Sequence, residues 1–458
     1  MKLVIIGGGG FRVPQVIEVL ADPKAKLRVN EVVLYDVESS RTDAIMAVLT
    51  GSGFLNRPTS PRVSACYNLS EALTDANFVF SAMRIGGTCG RITDERVGLG
   101  HGVLGQETVG AGGYAYALRT IPAAVQLAQI IKEVAPDSWT INFTNPAGII
   151  TQAMRQVLGR RVVGICDTPI GLMRRACAAL GVNQDDVDFD YVGLNHLGWL
   201  RTLVKNGEDL LPGLIADDEL LDHMEEARTI GGDWIRALGM LPNEYLFYYY
   251  LNRESLARIK KEPQTRGEFL DNQQRGFYQD VLDNPENAWN IWNQYHDERE
   301  ATYMAESREP SQRAGRRSED IAGGGYQEVA LGIMESLTVG TQSRMILNIG
   351  NADCEDTDLL IPELNSEAVV EVPCLVDAKG IHPQKVAPVT GAELGLITSV
   401  KACEELIIDA ALQGDKTKAW RAFASHPLVD SVLVARKLLD EYCEKNPLIA
   451  EVFTEEES

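Results

Sequence analysis

The sequence predicts an α/β protein, with a parallel sheet in its first half and a second half that is mainly helical with some strand. Three observations predict it. Up to residue 190, short apolar runs alternate with amphipathic helical stretches, the pattern of βαβ units. Four consecutive glycines, Gly7, Gly8, Gly9 and Gly10, separate the first apolar run from the first helical one. Beyond residue 190 the alternation gives way to longer helical segments. The chain has 458 residues, more than one core usually holds, so two domains are expected, 1–190 and 191–458.

The elements of the first half follow in order. "KLVIIG" (2–7) is a buried strand and "GGGGFRVP" (7–14) a turn, with Pro14 suited to the first position of a helix through "QVIEVLAD". "EVVLYD" (31–36) is a second strand ending on Asp36. "ANFVFSAM" (76–83), "TINFTNPAG" (140–148) and "VVGICD" (162–167) are further strands, and "ALRTIPAAVQLAQIIKEVA" (117–135) is a helix between them. "YVGLNHLGWL" (191–200) is another apolar segment, and it delivers His196. In the second half, helices are expected over 218–238, 265–282, 395–413 and 429–443, and a strand over 368–376. The polar stretch 297–320 reads as a mobile loop or a subunit contact.

Composition narrows the function. The net charge of −22 argues against nucleic acid or an anionic membrane as the main partner, since both need a basic surface. A small anion bound by a local arginine cluster stays open. The eight cysteines are scattered, with no CxxC pair. Residue 2 already begins a strand, and no apolar run reaches the length of a membrane span. A cytoplasmic protein with reduced thiols is expected.

Glycines between strand and helix let the backbone approach a pyrophosphate, and Asp36 at the end of the second strand is placed for an adenosine ribose. The first half therefore reads as a Rossmann-like dinucleotide-binding domain, although Arg12 stands where the strict fingerprint has its third glycine. The alternative is a tight turn without ligand. Asn142 and Asn145 end a strand before Pro146, where either a ligand contact or plain turn chemistry would use them. Cys166 and His196 suit a borderline divalent ion, and two protein ligands leave positions open for substrate. The alternative makes Cys166 a core residue and His196 a satisfied turn residue. Tyr245 lies among other aromatics that are core by default. Arg258 and Arg266 are by default solvated helix charges.

Taken together, "IGGGG", "LYD" (34–36), "MRIGG" (83–87), "GQETVGAGG" (105–113), "NPAG" (145–148), "GICDTP" (164–169), "GLNHLGW" (193–199), "LPNEYLFYY" (241–249) and "VEVPC" (370–374) resemble family 4 glycoside hydrolases, particularly 6-phosphoglucosidases. The resemblance covers nearly the whole chain. It implies NAD and a divalent metal, most often Mn2+, as cofactors, with Cys166 and His196 on the metal. It implies Tyr245 as the base at sugar C2 and Asp167 as the acid for the leaving group. Asn145, Glu107 and Arg91 would contact sugar or cofactor, and Arg266 the 6-phosphate. Ordinary glycosidases use two carboxylates, and this family departs from them through oxidation at C3, elimination and addition of water. The expected substrate is a phosphorylated disaccharide or aryl glucoside, and the expected assembly a homodimer or homotetramer.

The sequence departs from the family pattern in two places. Gly10 and the following "FRV" replace a Ser/Thr-rich stretch. "CDTP" is more like the α-specific members and "YALRTIP" more like the β-specific ones. The reading favours a 6-phospho-β-glucosidase, with the α-glucosidase as alternative. A lactate- or malate-type dehydrogenase and a catalytically dead NAD-sensing module are the remaining readings.

Overall fold

In the computed structural model, which describes residues 1–302 and 325–454, one mixed sheet of thirteen strands runs through both halves of the chain. Its first six strands are β1 (Lys2–Ile6), β2 (Glu31–Tyr35), β3 (Arg62–Ala65), β4 (Phe78–Ser81), β5 (Trp139–Asn142) and β6 (Val162–Gly164). They are all parallel, in the order β3-β2-β1-β4-β5-β6. That is the doubly wound dinucleotide-binding order, with its switch point between β1 and β4.

The apolar runs are continuous because both faces of this sheet are covered. Alternate residues go to opposite cores. Leu3 and Ile5 of β1, Val32 and Leu34 of β2, and Phe78 and Phe80 of β4 join one core. Val4, Ile6, Val33 and Val79 join the other. Helices Val13–Leu20 and Ser39–Ser52 bury their apolar residues in the first core. Helices Gly110–Val134 and Gly391–Gln413 supply much of the second.

The second half extends the same sheet. It adds β7 (Asp188–Leu194), β8 (Leu197–Lys205), β9 (Glu208–Asp209), β10 (Leu241–Pro242), β11 (Ser343–Gly350), β12 (Val369–Asp377) and β13 (Gly380–Pro383). β11 lies antiparallel to β6 at the pair Asn348–Gly164, and β12, β7, β8 and β10 follow outward.

Three expectations change. The segment 191–200 is not one run but a hairpin, with β7 and β8 joined by Asn195 and His196 alone. Apolar flanks on both strands hid the turn, which contains no glycine. The helix expected over 218–238 is three short ones, Asp218–Asp222, Glu225–Ile230 and Gly232–Leu238. Gly231, at φ +105°, ends the second of them. Residues 297–301, expected in a mobile loop or subunit contact, finish the helix Ala288–Ala301, and residues 303–320 lie outside the described residues. No helix among the described residues is long and apolar enough to cross a membrane.

Candidate active site

A cavity of about 1040 Å3 opens at the carboxyl ends of the parallel strands. Every strand around the switch point contributes the residues just past its end. Gly7, Gly9 and Gly10 follow β1, Asp36 follows β2, Met83 and Arg84 follow β4, Asn145 follows β5, and Cys166 and Asp167 follow β6. The second half closes the cavity with His196, Tyr245, Arg266, Tyr278 and Arg299.

At the glycine end the backbone is tightly fixed. Gly7 has φ +85°, and a Cβ there would lie 2.5 Å from the Ala82 carbonyl oxygen. Gly9 N–H donates to Asp36 Oδ2 at 3.0 Å, and Glu38 N–H donates to Asp36 Oδ1 at 3.1 Å. Gly8, expected among the cofactor-binding glycines, does not line the cavity itself. A Cβ on Gly8 would lie 2.7 Å from Leu34 Cβ, so its task is to let the turn sit against β2. Phe11, one of the residues that depart from the family pattern, and Gly9 near it have partners in the second half. Phe11 packs edge-on against Phe277 and stacks on Trp292, whose indole N–H donates to the Phe11 carbonyl at 2.8 Å. Tyr278 O–H donates to the Gly9 carbonyl at 2.6 Å.

The opposite end holds the thiol and the imidazole. β6 stops at Gly164, so Cys166 lies two residues past the strand and Asp167 is the N-cap of the helix Thr168–Ala179. His196 sits in the two-residue hairpin loop at φ +65°, a left-handed conformation costing about 1–3 kcal/mol outside glycine. Its ring stacks on Tyr245, with centroids 3.7 Å apart and planes 3° from parallel.

These residues fit a divalent metal. His196 Nδ1 is buried and has no hydrogen-bond partner. Burial pushes the imidazole down to about 3, so it is neutral, as a metal ligand must be. Burial, with Asp167 and Glu371, holds the Cys166 thiol well above its usual range, so a cation has to draw off that proton. Among the described residues no three His, Cys, Asp or Glu side chains are grouped to hold a metal. A two-residue donor set leaves the remaining positions to substrate and water. The glycine cradle and Asp36 fit a dinucleotide in the same way, since the close backbone approach there excludes side chains.

Between the two ends lies a cluster of arginines. Glu107 accepts from Arg84 at 2.5 Å and from Arg91 at 2.6 Å. Burial alone would raise Glu107, but the two guanidinium groups outweigh it and hold the carboxyl at about 2. Arg91 also donates to Glu95 at 2.8 Å. Arg266 begins the helix Arg266–Asp283 and donates to Thr302 Oγ1 at 2.7 Å. The N-terminus of that helix, which could have offered an anion its N–H groups, is already capped. Glu95 accepts from Gly267 N–H at 2.7 Å, and Thr265 and Glu268 form a capping box.

Arg299 is the residue sequence reasoning missed. It lines the cavity, and its Nη1 is buried without a hydrogen-bond partner. Burial and then Arg12, Arg266, Arg84 and Arg91 push it down to about 9, still charged at neutral pH. In the sequence it stands at the start of the polar stretch 297–320, expected as a mobile loop or a subunit contact.

Comparison with known proteins decides the family. The model described as family 4 glycosyl hydrolase matches residues 2–182, and that of its C-terminal domain matches residues 191–429. The chain belongs to glycosyl hydrolase family 4. Among family 4 relatives, the phospho-alpha-glucosidase PagL of Clostridium acetobutylicum is 30% identical, with 97% of each chain covered. The 6-phospho-beta-glucosidase of Escherichia coli is 28% identical over 96% of this chain and 94% of its own. A solved family 4 structure, the 6-phospho-beta glucosidase of Thermotoga maritima with manganese, NAD+ and glucose-6-phosphate, superposes with a TM-score of 0.77 at 25% identity over 98% of both chains. The lactate dehydrogenase of Eimeria maxima shares the fold alone, with a TM-score of 0.51 at 14% identity over 91% of this chain and 97% of its own.

Proposed function

We propose that this chain hydrolyses 6-phospho-glucosides with NAD+ and a divalent metal, most readily Mn2+, and that it prefers the β anomer. One observation carries the reading: a single cavity brings Cys166, Asp167, His196 and Tyr245 together with the glycine turn and Arg266. The Thermotoga maritima enzyme solved with manganese, NAD+ and glucose-6-phosphate supports it. The domain division at residue 190 belongs to this reading, with the cofactor held mainly by the first part.

When bound, NAD+ supplies reversible hydride chemistry at sugar C3, and the divalent cation supplies Lewis-acid polarisation of the neighbouring oxygens. The rest is the work of this chain. Cys166 and His196 would hold the cation. Gly7, Gly9 and Gly10 would admit the dinucleotide, Asp36 would bind its ribose and Asn145 would contact sugar or cofactor. Tyr245, fixed by its stack on His196, takes the proton from C2. Asp167 gives a proton to the departing oxygen. Glu107 cannot share that task, since Arg84 and Arg91 keep it ionised. A second protonatable carboxyl of the ordinary glycosidase kind is therefore not supplied by Glu107. Its part is to order Arg91 beside the substrate. Arg266 and Arg299 hold the 6-phosphate, against a net charge of −22 that repels it at long range.

The α-anomer reading keeps specific support: the α-named relative at 30% identity, a solved 6-phospho-alpha-glucosidase with NAD and Mn2+ at a TM-score of 0.79, and the "CDTP" of this chain. Hydrolysis of p-nitrophenyl 6-phosphoglucosides of both anomers, with NAD+ and Mn2+ added or withheld, tests the proposal and chooses the anomer. Full activity after chelation and removal of nucleotide would sink it. Net accumulation of NADH would support the dehydrogenase reading in its place. The same reading expects a cytoplasmic homodimer or homotetramer, and sedimentation equilibrium measures the assembly.

A further inference from the structure

A buried polar chain reaches the sulphur of Cys166 from behind the cavity. Its hub is Asn243, fully buried just past β10. The Tyr245 backbone N–H lies 3.0 Å from Asn243 Oδ1. That N–H can only donate, so the amide oxygen must face it and the amide nitrogen must face the other way. Asn243 Nδ2 then donates to Thr168 Oγ1 at 2.8 Å and to Tyr191 Oη at 3.4 Å. Both hydroxyl oxygens now accept, so their hydrogens point onward. Tyr191 O–H donates to Glu371 Oε2 at 2.9 Å, and Asn348 donates to the other oxygen at 2.9 Å. The Thr168 hydroxyl lies 3.3 Å from Cys166 Sγ, and once a cation has drawn off the thiol proton the sulphur can only accept, so the hydrogen left to Thr168 goes to it.

We infer that Asn243 is a positioning residue that serves two parts of the site at once. Through Thr168 it directs an O–H onto the sulphur of Cys166, and through its own carbonyl it fixes the turn that carries Tyr245. The inference rests on the reading of Cys166 and His196 as the metal pair and deepens it. A donor hydrogen on a ligating sulphur neutralises part of its negative charge and fixes its direction, as the groups behind metal ligands commonly do. Thr168 and Asn243 are both buried, so water does not replace the hydrogen bond if either is removed.

Three substitutions separate the roles. Thr168→Val removes the hydroxyl at nearly constant volume, and Thr168→Ser keeps it. Asn243→Asp keeps the acceptor for Tyr245 but has no hydrogen to give, so Thr168 turns its own hydrogen toward the new carboxylate. Mn2+ affinity is read from the free-ion signal in electron paramagnetic resonance, in protein that holds NAD+ with wild-type affinity. The thiolate-to-metal absorption of the Co2+-loaded protein is read beside it. Thr168→Val and Asn243→Asp should weaken Mn2+ binding by about 10- to 100-fold and shift the Co2+ band, and Thr168→Ser should restore both. Cys166→Ser sets the scale. Wild-type Mn2+ binding and an unshifted band in Thr168→Val and Asn243→Asp, with binding lost in Cys166→Ser, would overturn the coupling and leave the metal pair standing. Undiminished binding in Cys166→Ser as well would overturn both.

Discussion

The two ends of the cavity differ in how their polar groups are satisfied. At the glycine end the exposed backbone is already partnered: Asp36 takes the Gly9 and Glu38 N–H groups, and Tyr278 donates to the Gly9 carbonyl. At the other end and in the arginine cluster, buried polar atoms have no partner, namely His196 Nδ1 and Arg299 Nη1. A buried polar atom without a partner costs about 1–3 kcal/mol. The glycine end is a finished mould that a dinucleotide can enter with little rearrangement. The imidazole end and the arginine cluster between the ends are held in deficit, and ligands that partner His196 Nδ1 and Arg299 Nη1 relieve it. Substitutions should therefore act on binding and fold at the first end, and on rate and substrate choice at the second.

The sharpest test is Tyr245→Phe. The phenyl ring keeps the stack on His196 and only the phenol oxygen goes. Turnover should fall by about 10²–10⁴-fold, with NAD+ affinity unchanged. A loss under about tenfold would place the base elsewhere. Deuterium from solvent should also appear at C2 of the product, and unlabelled product would contradict proton removal there.

Next come the arginines. Arg266→Ala and Arg299→Ala should each lower kcat/KM for the phosphorylated glucoside by about 10- to 100-fold, the worth of one charge-assisted hydrogen bond. The residual reaction of the neutral glucoside should barely change. Equal losses on both substrates would mean that these side chains support structure and do not read the phosphate.

Gly8→Ala probes the other end. Its new Cβ would press on Leu34 at 2.7 Å, and overpacking of this kind costs about 1–3 kcal/mol. A lowered thermal midpoint and weaker NAD+ binding are expected, with KM for the sugar unchanged. An unaltered midpoint would show that the turn yields more easily than its packing suggests. The smallest effect belongs to Tyr278→Phe, which removes one hydrogen bond to Gly9, worth about 1 kcal/mol. NAD+ affinity should drop severalfold at most. A larger drop in turnover than in NAD+ affinity would blur the division between the two ends.

Much of the cofactor half was legible in the sequence, because its signals are local. A glycine turn after an apolar run, an acidic residue ending the next run and a cysteine just past a strand can all be read within a few residues of each other. What the sequence hid depends on distant partners. Gly8 reads like its neighbours until β2 is laid beside it. Arg299 is one charge in a polar stretch until its helix carries it beside Arg12, Arg266, Arg84 and Arg91. The hairpin at His196 was concealed because the four residues on each side of it, Tyr191–Leu194 and Leu197–Leu200, are all buried, so no alternation marked the turn. The family resemblance supplied roles for Tyr245 and Arg266 that charge and spacing alone did not assign. It gave no role to Asn243, though that residue lies within "LPNEYLFYY", and its part is visible only when the direction of each hydrogen bond is followed.

The shared sheet also bears on how this chain can be divided. In the whole molecule β6 is an interior strand, with β5 on one side and β11 on the other. A fragment stopping near residue 190 would turn it into a bare edge whose valines, Val162 and Val163, lie in opposite cores. Flat apolar edges of that kind invite pairing with other chains. Phe11 would lose Trp292 and Phe277 at the same cut, and with them the cover over the glycine turn. The nucleotide-binding half is thus no detachable cassette. Its last strand and its first loop are both finished by residues the chain reaches more than a hundred positions later.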